Sequence, residues 1–221
     1  VVASVSTGQW PGRKLVASLA RMASHRSKGK LPVHIVDLIA FDGMQEEKAF
    51  LLNDGIKHVL LDTSVSNTNS AIGKDAAWVK QEIAGEGENG FVVVDVPERV
   101  LHARHDVLIN VDTLLVLIPA TLDAIVAIEK AEREIADLLS SGVKCSVSYL
   151  LVAAEDSETL SALLVNELLS FDKLFVPFLI DQAVIPSADG LLTVVNKGSQ
   201  GYEVVNKILS FILEGASRED R

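Results

Sequence analysis

Short runs of Val, Leu and Ile alternate along this chain with longer stretches of helical period, and that alternation constrains the fold more than any other feature. Residues 1–6, 33–38, 59–62, 91–95, 113–119, 145–153 and 174–180 read as strands. Residues 14–23, 45–53, 71–83, 122–139, 157–169 and 201–213 read as helices. In the first of these Leu15, Leu19 and Met22 share a face; in the third Ile72, Ala76, Val79 and Ile83 do. Segment 91–95 is almost purely apolar, which predicts a central strand. Strands joined through helices build βαβ units, and right-handed crossovers lay such units into a parallel sheet. Apolar runs of this kind suit a sheet covered on both faces. The expected fold is therefore α/β, a three-layer, mostly parallel sheet with helices on both sides.

The composition agrees. Hydrophobic residues make up 48% of the 221 and charged residues 23%, the balance of a packed core rather than a disordered or fibrous chain. No repeat, low-complexity tract or linker divides the chain, so one domain is expected over residues 1–221, with a polar, frayed tail at 215–221. A mean hydropathy of +0.30 is high, and implies both sheet faces covered or some surface buried against a partner. No apolar run approaches the roughly 18 residues of a membrane span. The single cysteine, Cys145, excludes an internal disulfide and a cysteine-based zinc site, and fits a reducing, cytoplasmic setting. A net charge of −10 opposes non-specific binding to nucleic acid. No basic-then-apolar leader opens the chain, so a signal peptide is not expected. The strand-like start leaves room for a few native residues before it.

In sheets of this class ligands bind beyond the carboxyl ends of the strands. The segments to weigh are 7–14, 37–43, 95–99, 119–123, 153–156 and 181–190. The first has the context of a phosphate cradle: a strand, a loop holding Gly8 and Gly12, then a helix opening with Arg13 and Lys14. Its chemistry departs from the usual cradle. Gly12 is followed by Arg-Lys instead of Lys-Ser/Thr, Pro11 removes one backbone N–H, and Trp10 is bulky. As a bare pattern it satisfies neither the P-loop nor the dinucleotide fingerprint.

The order of motifs over the whole chain resembles the ParA/MinD family of deviant P-loop ATPases. Leu19-Ala20 follows the first loop at about the family's distance. Val36-Asp37-Leu38-Ile39 stands where that family has V-D-x-D. Val94-Asp95-Val96-Pro97 resembles its D-T-P-P strand end, and Asp112 to Pro119 resembles its D-x-x-x-x-x-P segment, with a helix after it. The resemblance implies a P-loop NTPase-like fold. It also implies where the charge-handling parts would fall. The family's deviant lysine falls on Thr7 or Gly8, its P-loop lysine on Gly12 or Arg13, and its magnesium-binding Thr on Arg13 or Lys14. The second Asp of V-D-x-D, which positions water, is Ile39. Its base-reading Asn is replaced around Ala153-Ala154. Asp95 matches the aspartate that holds magnesium through water. Phosphoryl transfer needs metal, charge neutralisation and a positioned water together; at most one of the three is recognisable here.

Two readings stay open for Asp37 and Asp95, read as acidic strand ends: a relic magnesium site, or carboxylates capping loop N–H groups. Gly8, Gly12, Arg13 and Lys14 form a candidate phosphate site at a helix N-terminus. Trp10 is either a partner contact or a lid folded over an emptied pocket. His102 and His105 flank Arg104 at metal-ligand spacing, with a solvated helix face as the plainer reading. Cys145 reads as a small core residue. Arg21, Arg26, Lys28 and Lys30, with His25 among them, are either a solvated connection or a patch for DNA or an acidic partner.

The expected function is that of a degenerate ParA/MinD-like protein. It would lack ATP hydrolysis and bind ATP and magnesium weakly or not at all. It would act with a protein partner, or as a homodimer, in plasmid partition, mobilisation or conjugation, or secretion-machine placement. The alternatives are a slow ATPase using Arg13 and Lys14 for the phosphates, and a DNA-associated module. No catalytic residue and no metal ligand is assigned.

Overall fold

The computed structural model describes residues 1–6, 12–39, 56–62, 90–97, 108, 111–119, 123–153, 180–181 and 200–219. In chain order the elements are β1 (Val2–Ser6), α1 (Gly12–Arg26), β2 (Val33–Ile39), β3 (Lys57–Asp62), β4 (Phe91–Pro97), β5 (Thr113–Pro119), α2 (Ala124–Ser140), β6 (Ser146–Ala153), β7 (Ile180–Asp181) and α3 (Gln200–Glu219). The helices expected at 45–53, 71–83 and 157–169 lie outside the described residues, as does most of the strand expected at 174–180.

The strands form one sheet of seven in the order β3-β2-β4-β1-β5-β6-β7. Every pairing in it is parallel. β4 lies between β2 and β1, which bears out the central position expected of its apolar run. β1 has β4 on one side and β5 on the other, so the chain order changes direction around it. That is the kind of switch point at which open α/β sheets bind ligands.

Strand alternation sorts the core into two clusters. Val2, Val33, Ile35, Phe91, Val93, Leu115 and Leu117 pack on one face with Leu15, Val16, Leu19 and Ala20 of α1 and Val205, Ile208, Leu209 and Ile212 of α3. Ala3, Val36, Val92, Val94, Val96, Leu114, Val116 and Ile118 pack on the other with Ala124, Ile128, Ala131, Ile135 and Leu138 of α2. Residues i and i+2 of a strand share a face, so the near-continuous apolar runs supply both clusters at once. The charged residues of α2 behave as the solvated face the sequence suggests: Glu129, Lys130 and Arg133 are exposed. Tyr149 on β6 is buried against this layer; burial pushes its phenol well above its ordinary range, and the Glu132 carboxylate adds to the effect.

Two helices, α1 and α3, run well past their expected ends. α1 spans Gly12–Arg26 instead of 14–23, because nothing between Ala23 and Arg26 breaks a helix. It stops where two residues turn left-handed, Lys28 at φ 54 and Gly29 at φ 69. The Gly29 N–H donates to the Ser24 carbonyl at 3.0 Å and the Lys28 N–H to the His25 carbonyl at 3.1 Å. Those two bonds make a Schellman C-cap, with a lysine at the position glycine usually fills. α3 continues to Glu219, through residues where polar composition predicts fraying. Propagating an established helix adds one hydrogen bond per residue, and no proline interrupts that stretch. Among the described residues no helix is long and apolar enough to cross a membrane.

Candidate functional site

The site is built at the carboxyl ends of β1, β2 and β4, where α1 begins. β1 ends at Ser6 and α1 opens at Gly12. Gly8 and Trp10 belong to that loop and lie outside the described residues. Gly12, Arg13 and Lys14 form the first turn of α1. That end of the helix carries the positive end of the macrodipole and unsatisfied backbone N–H groups. Its first turn holds no acidic residue and two cations, the reverse of the usual charge preference.

Asp37 and Asp95 come together more closely than the sequence indicates. They are direct register partners on neighbouring parallel strands, β2 and β4. Asp95 is also in register with Ser4 of β1, so positions 37, 95 and 4 form one row across three strands. The expectation that both aspartates end their strands is corrected: β2 continues through Leu38 and Ile39, and β4 through Val96 and Pro97. A residue within a strand is less suited to capping a loop than one at its end. Asp95 is half-buried. By strand period its position shares the face of Phe91 and Val93, the side covered by α1.

The register could have been found in the sequence. Val36-Asp37 and Val94-Asp95 repeat the same dipeptide, and each strand runs two residues further. Aligning the two dipeptides gives the observed pairing of Val36 with Val94 and Asp37 with Asp95.

The other singled-out residues fall elsewhere or outside the description. His102 and His105 lie outside the described residues. Among the described residues no group of three His, Cys, Asp or Glu side chains is placed to hold a metal. Cys145 immediately precedes β6, half-buried and packed against the α2-side core, so the core reading fits. His25, Lys28 and Lys30 are exposed, at the amino-terminal end of the sheet, far along α1 from its opening turn.

Solved structures match this arrangement over nearly the whole chain. A chain of the MinC:MinD cell division protein complex from Aquifex aeolicus superposes with a TM-score of 0.66 at 13% identity, covering 96% of this chain and 95% of that one. A plasmid partition protein from Borrelia burgdorferi does so with a TM-score of 0.64 at 10% identity, covering 96% and 97%. This is a ParA/MinD-like P-loop fold. The same fold houses an enzyme of different chemistry: cobyrinic acid a,c-diamide synthase from Mycobacterium smegmatis, solved with an ATP analog and magnesium, superposes with a TM-score of 0.62 at 13% identity, covering 97% and 94%. No family profile and no curated protein matches the sequence. A ParA/MinD-like fold therefore sets where a ligand would sit, and the side chains must say what the site can do.

Proposed function

We propose that this chain is a ParA/MinD-like protein that has lost ATP hydrolysis and works as a partner or positioning factor. The processes that fit are plasmid partition, mobilisation or conjugation, and placement of a secretion machine. The observation that carries the reading is the residue set at the strand ends. The first turn of α1 reads Gly12-Arg13-Lys14, with no Ser or Thr to hold magnesium, and β2 ends in Ile39 where the resembled family has its water-positioning aspartate. Asp95 keeps the magnesium-side position, paired in register with Asp37. A hydrolytic site needs the metal, the phosphate charge and the attacking water handled at once. This donor set does not fit a magnesium triphosphate held in the family's manner, and no hydrolytic step is assigned to it.

The neighbours support the partner side of the reading: one is a plasmid partition protein, and another was solved as a MinC:MinD cell division protein complex. Homodimerisation through the strand-end face, with Trp10 inside the contact, is part of the proposal; two-fold dimers are the commonest closed homo-oligomers.

One observation favours a second reading. Two cations at the positive end of a helix dipole are unfavourable unless an anion joins them. Arg13 and Lys14 would then hold phosphate weakly, and the protein would be a slow ATP-binding ATPase. Calorimetric titration of ATP with magnesium into the purified protein separates the two. Weak or absent heat, indifferent to magnesium, is expected. Tight magnesium-dependent binding, with phosphate release on standing, overturns the first reading in favour of the second.

A further inference from the structure

The amino-terminal pole of the sheet carries a basic turn that the fold does not account for. His25, Arg26, Lys28 and Lys30 are all exposed there. Arg26 has an evident structural role. It lies in the last turn of α1, where a cation meets the negative end of the dipole. Arg26 also donates to the Ser210 hydroxyl at 2.8 Å and to Asn206 Oδ1 at 3.5 Å, tying α1 to α3. Lys28 and Lys30 lie past the helix, and among the described residues neither has an ion pair or a side-chain hydrogen bond.

Lys28 is moreover left-handed at φ 54, although Gly29 stands beside it. A glycine at 28 would adopt that conformation without the steric penalty a side chain incurs. A side chain kept in such a conformation on an exposed turn points from strain toward function. The Schellman bonds satisfy the turn's N–H groups internally, so it is the side chains, not the backbone, that are offered to a ligand.

We propose that this turn docks a short acidic polypeptide segment, through Lys28 and Lys30 with His25 beside them. The proposal adds a partner chemistry to the partner-protein reading above and rests on it for its purpose. The two surfaces lie at opposite ends of α1, so the ATP titration and the test below fail independently. A short segment with a few carboxylates feels the local field, which reaches about 10 Å at moderate salt. A long duplex is different: it meets the field of the whole chain, whose net charge is −10. The turn has no Phe, Tyr or Trp for base stacking, and its arginine is already bonded within the molecule. Lysine ammonium groups act as mobile point charges that pair with carboxylates without a fixed fork geometry.

The test is fluorescence anisotropy on the full chain with a labelled Glu- and Asp-rich peptide, beside a labelled DNA duplex, at low and at raised salt. The expected result is salt-sensitive peptide binding with the duplex bound more weakly. The double variant Lys28→Gly/Lys30→Gln should lose roughly tenfold in peptide affinity, the size expected for losing two exposed ion pairs within their usual range. Lys28→Arg/Lys30→Arg should retain it. The Lys28→Gly change relieves the left-handed lysine, and thermal unfolding checks that both variants are folded. Peptide binding unchanged by the first variant, tighter binding of the duplex, or no peptide binding at low salt overturns the proposal.

Discussion

The two ends of α1 carry the same kinds of residue and opposite electrostatics. At its start, Arg13 and Lys14 stand in the first turn at the positive end of the dipole. At its finish, His25 and Arg26 stand in the last turn at the negative end, and a Schellman cap closes the carbonyls behind them. The second arrangement stabilises the helix by itself. The first works against it by a few tenths of a kcal/mol per charge, up to about 1. The difference teaches that the start of α1 is not optimised as a helix terminus. The anion or partner contact proposed for that end would account for the mismatch.

The largest effect that would test this picture is on what the two ends share. Leu19 is fully buried in the middle of α1. Leu19→Ala should cost about 3 kcal/mol in urea unfolding, with both ends losing their support together. A loss below about 1 kcal/mol would mean that α1 is not held by the α3-side core. Smaller and opposite in sign is Lys28→Gly. Removing a side chain from the left-handed position should raise stability by up to about 1 kcal/mol, read as a higher midpoint in thermal unfolding. A fall instead would show that the lysine side chain stabilises the cap. Arg26→Ala should lose about 0.5–1 kcal/mol, because an exposed hydrogen bond to Ser210 goes with it. The smallest change is at the other end: Lys14→Glu should raise stability by roughly 0.5 kcal/mol by giving the dipole the charge it prefers. The same variant should weaken any binding of inorganic pyrophosphate, followed by calorimetry. If Lys14→Glu destabilises the chain, the contrast between the two ends is wrong.

Much of this was legible in the sequence, unevenly. Leu15, Leu19 and Met22 are buried as their spacing predicts, and so are Val205, Ile208, Leu209 and Ile212 of α3. The bounds of β5 came directly from its apolar run, since Asp112 and the segment after Pro119 frame it. The motif order pointed to the ParA/MinD-like fold that the solved structures share at identities of 10% to 13%. Helix ends were less legible. The stop of α1 depends on Lys28 turning left-handed, which no propensity of lysine announces, and Leu213, next to the buried Ile212, is 43% exposed. Asp37 and Asp95 were legible as acidic strand ends on one face, but not as direct register partners within their strands.

Among the described residues, the sequence by itself determined which segments are strands and helices and much of which residues are buried, because burial imposes a local period that nearby residues reveal. Only the tertiary structure decided the strand order, which makes β2 and β4 neighbours and sets Asp95 beside Ser4. Those pairings join segments far apart in the chain. They are fixed by how the crossovers pack on the sheet; the repeated Val-Asp dipeptide gives the β2–β4 register only once the two strands are known to be neighbours.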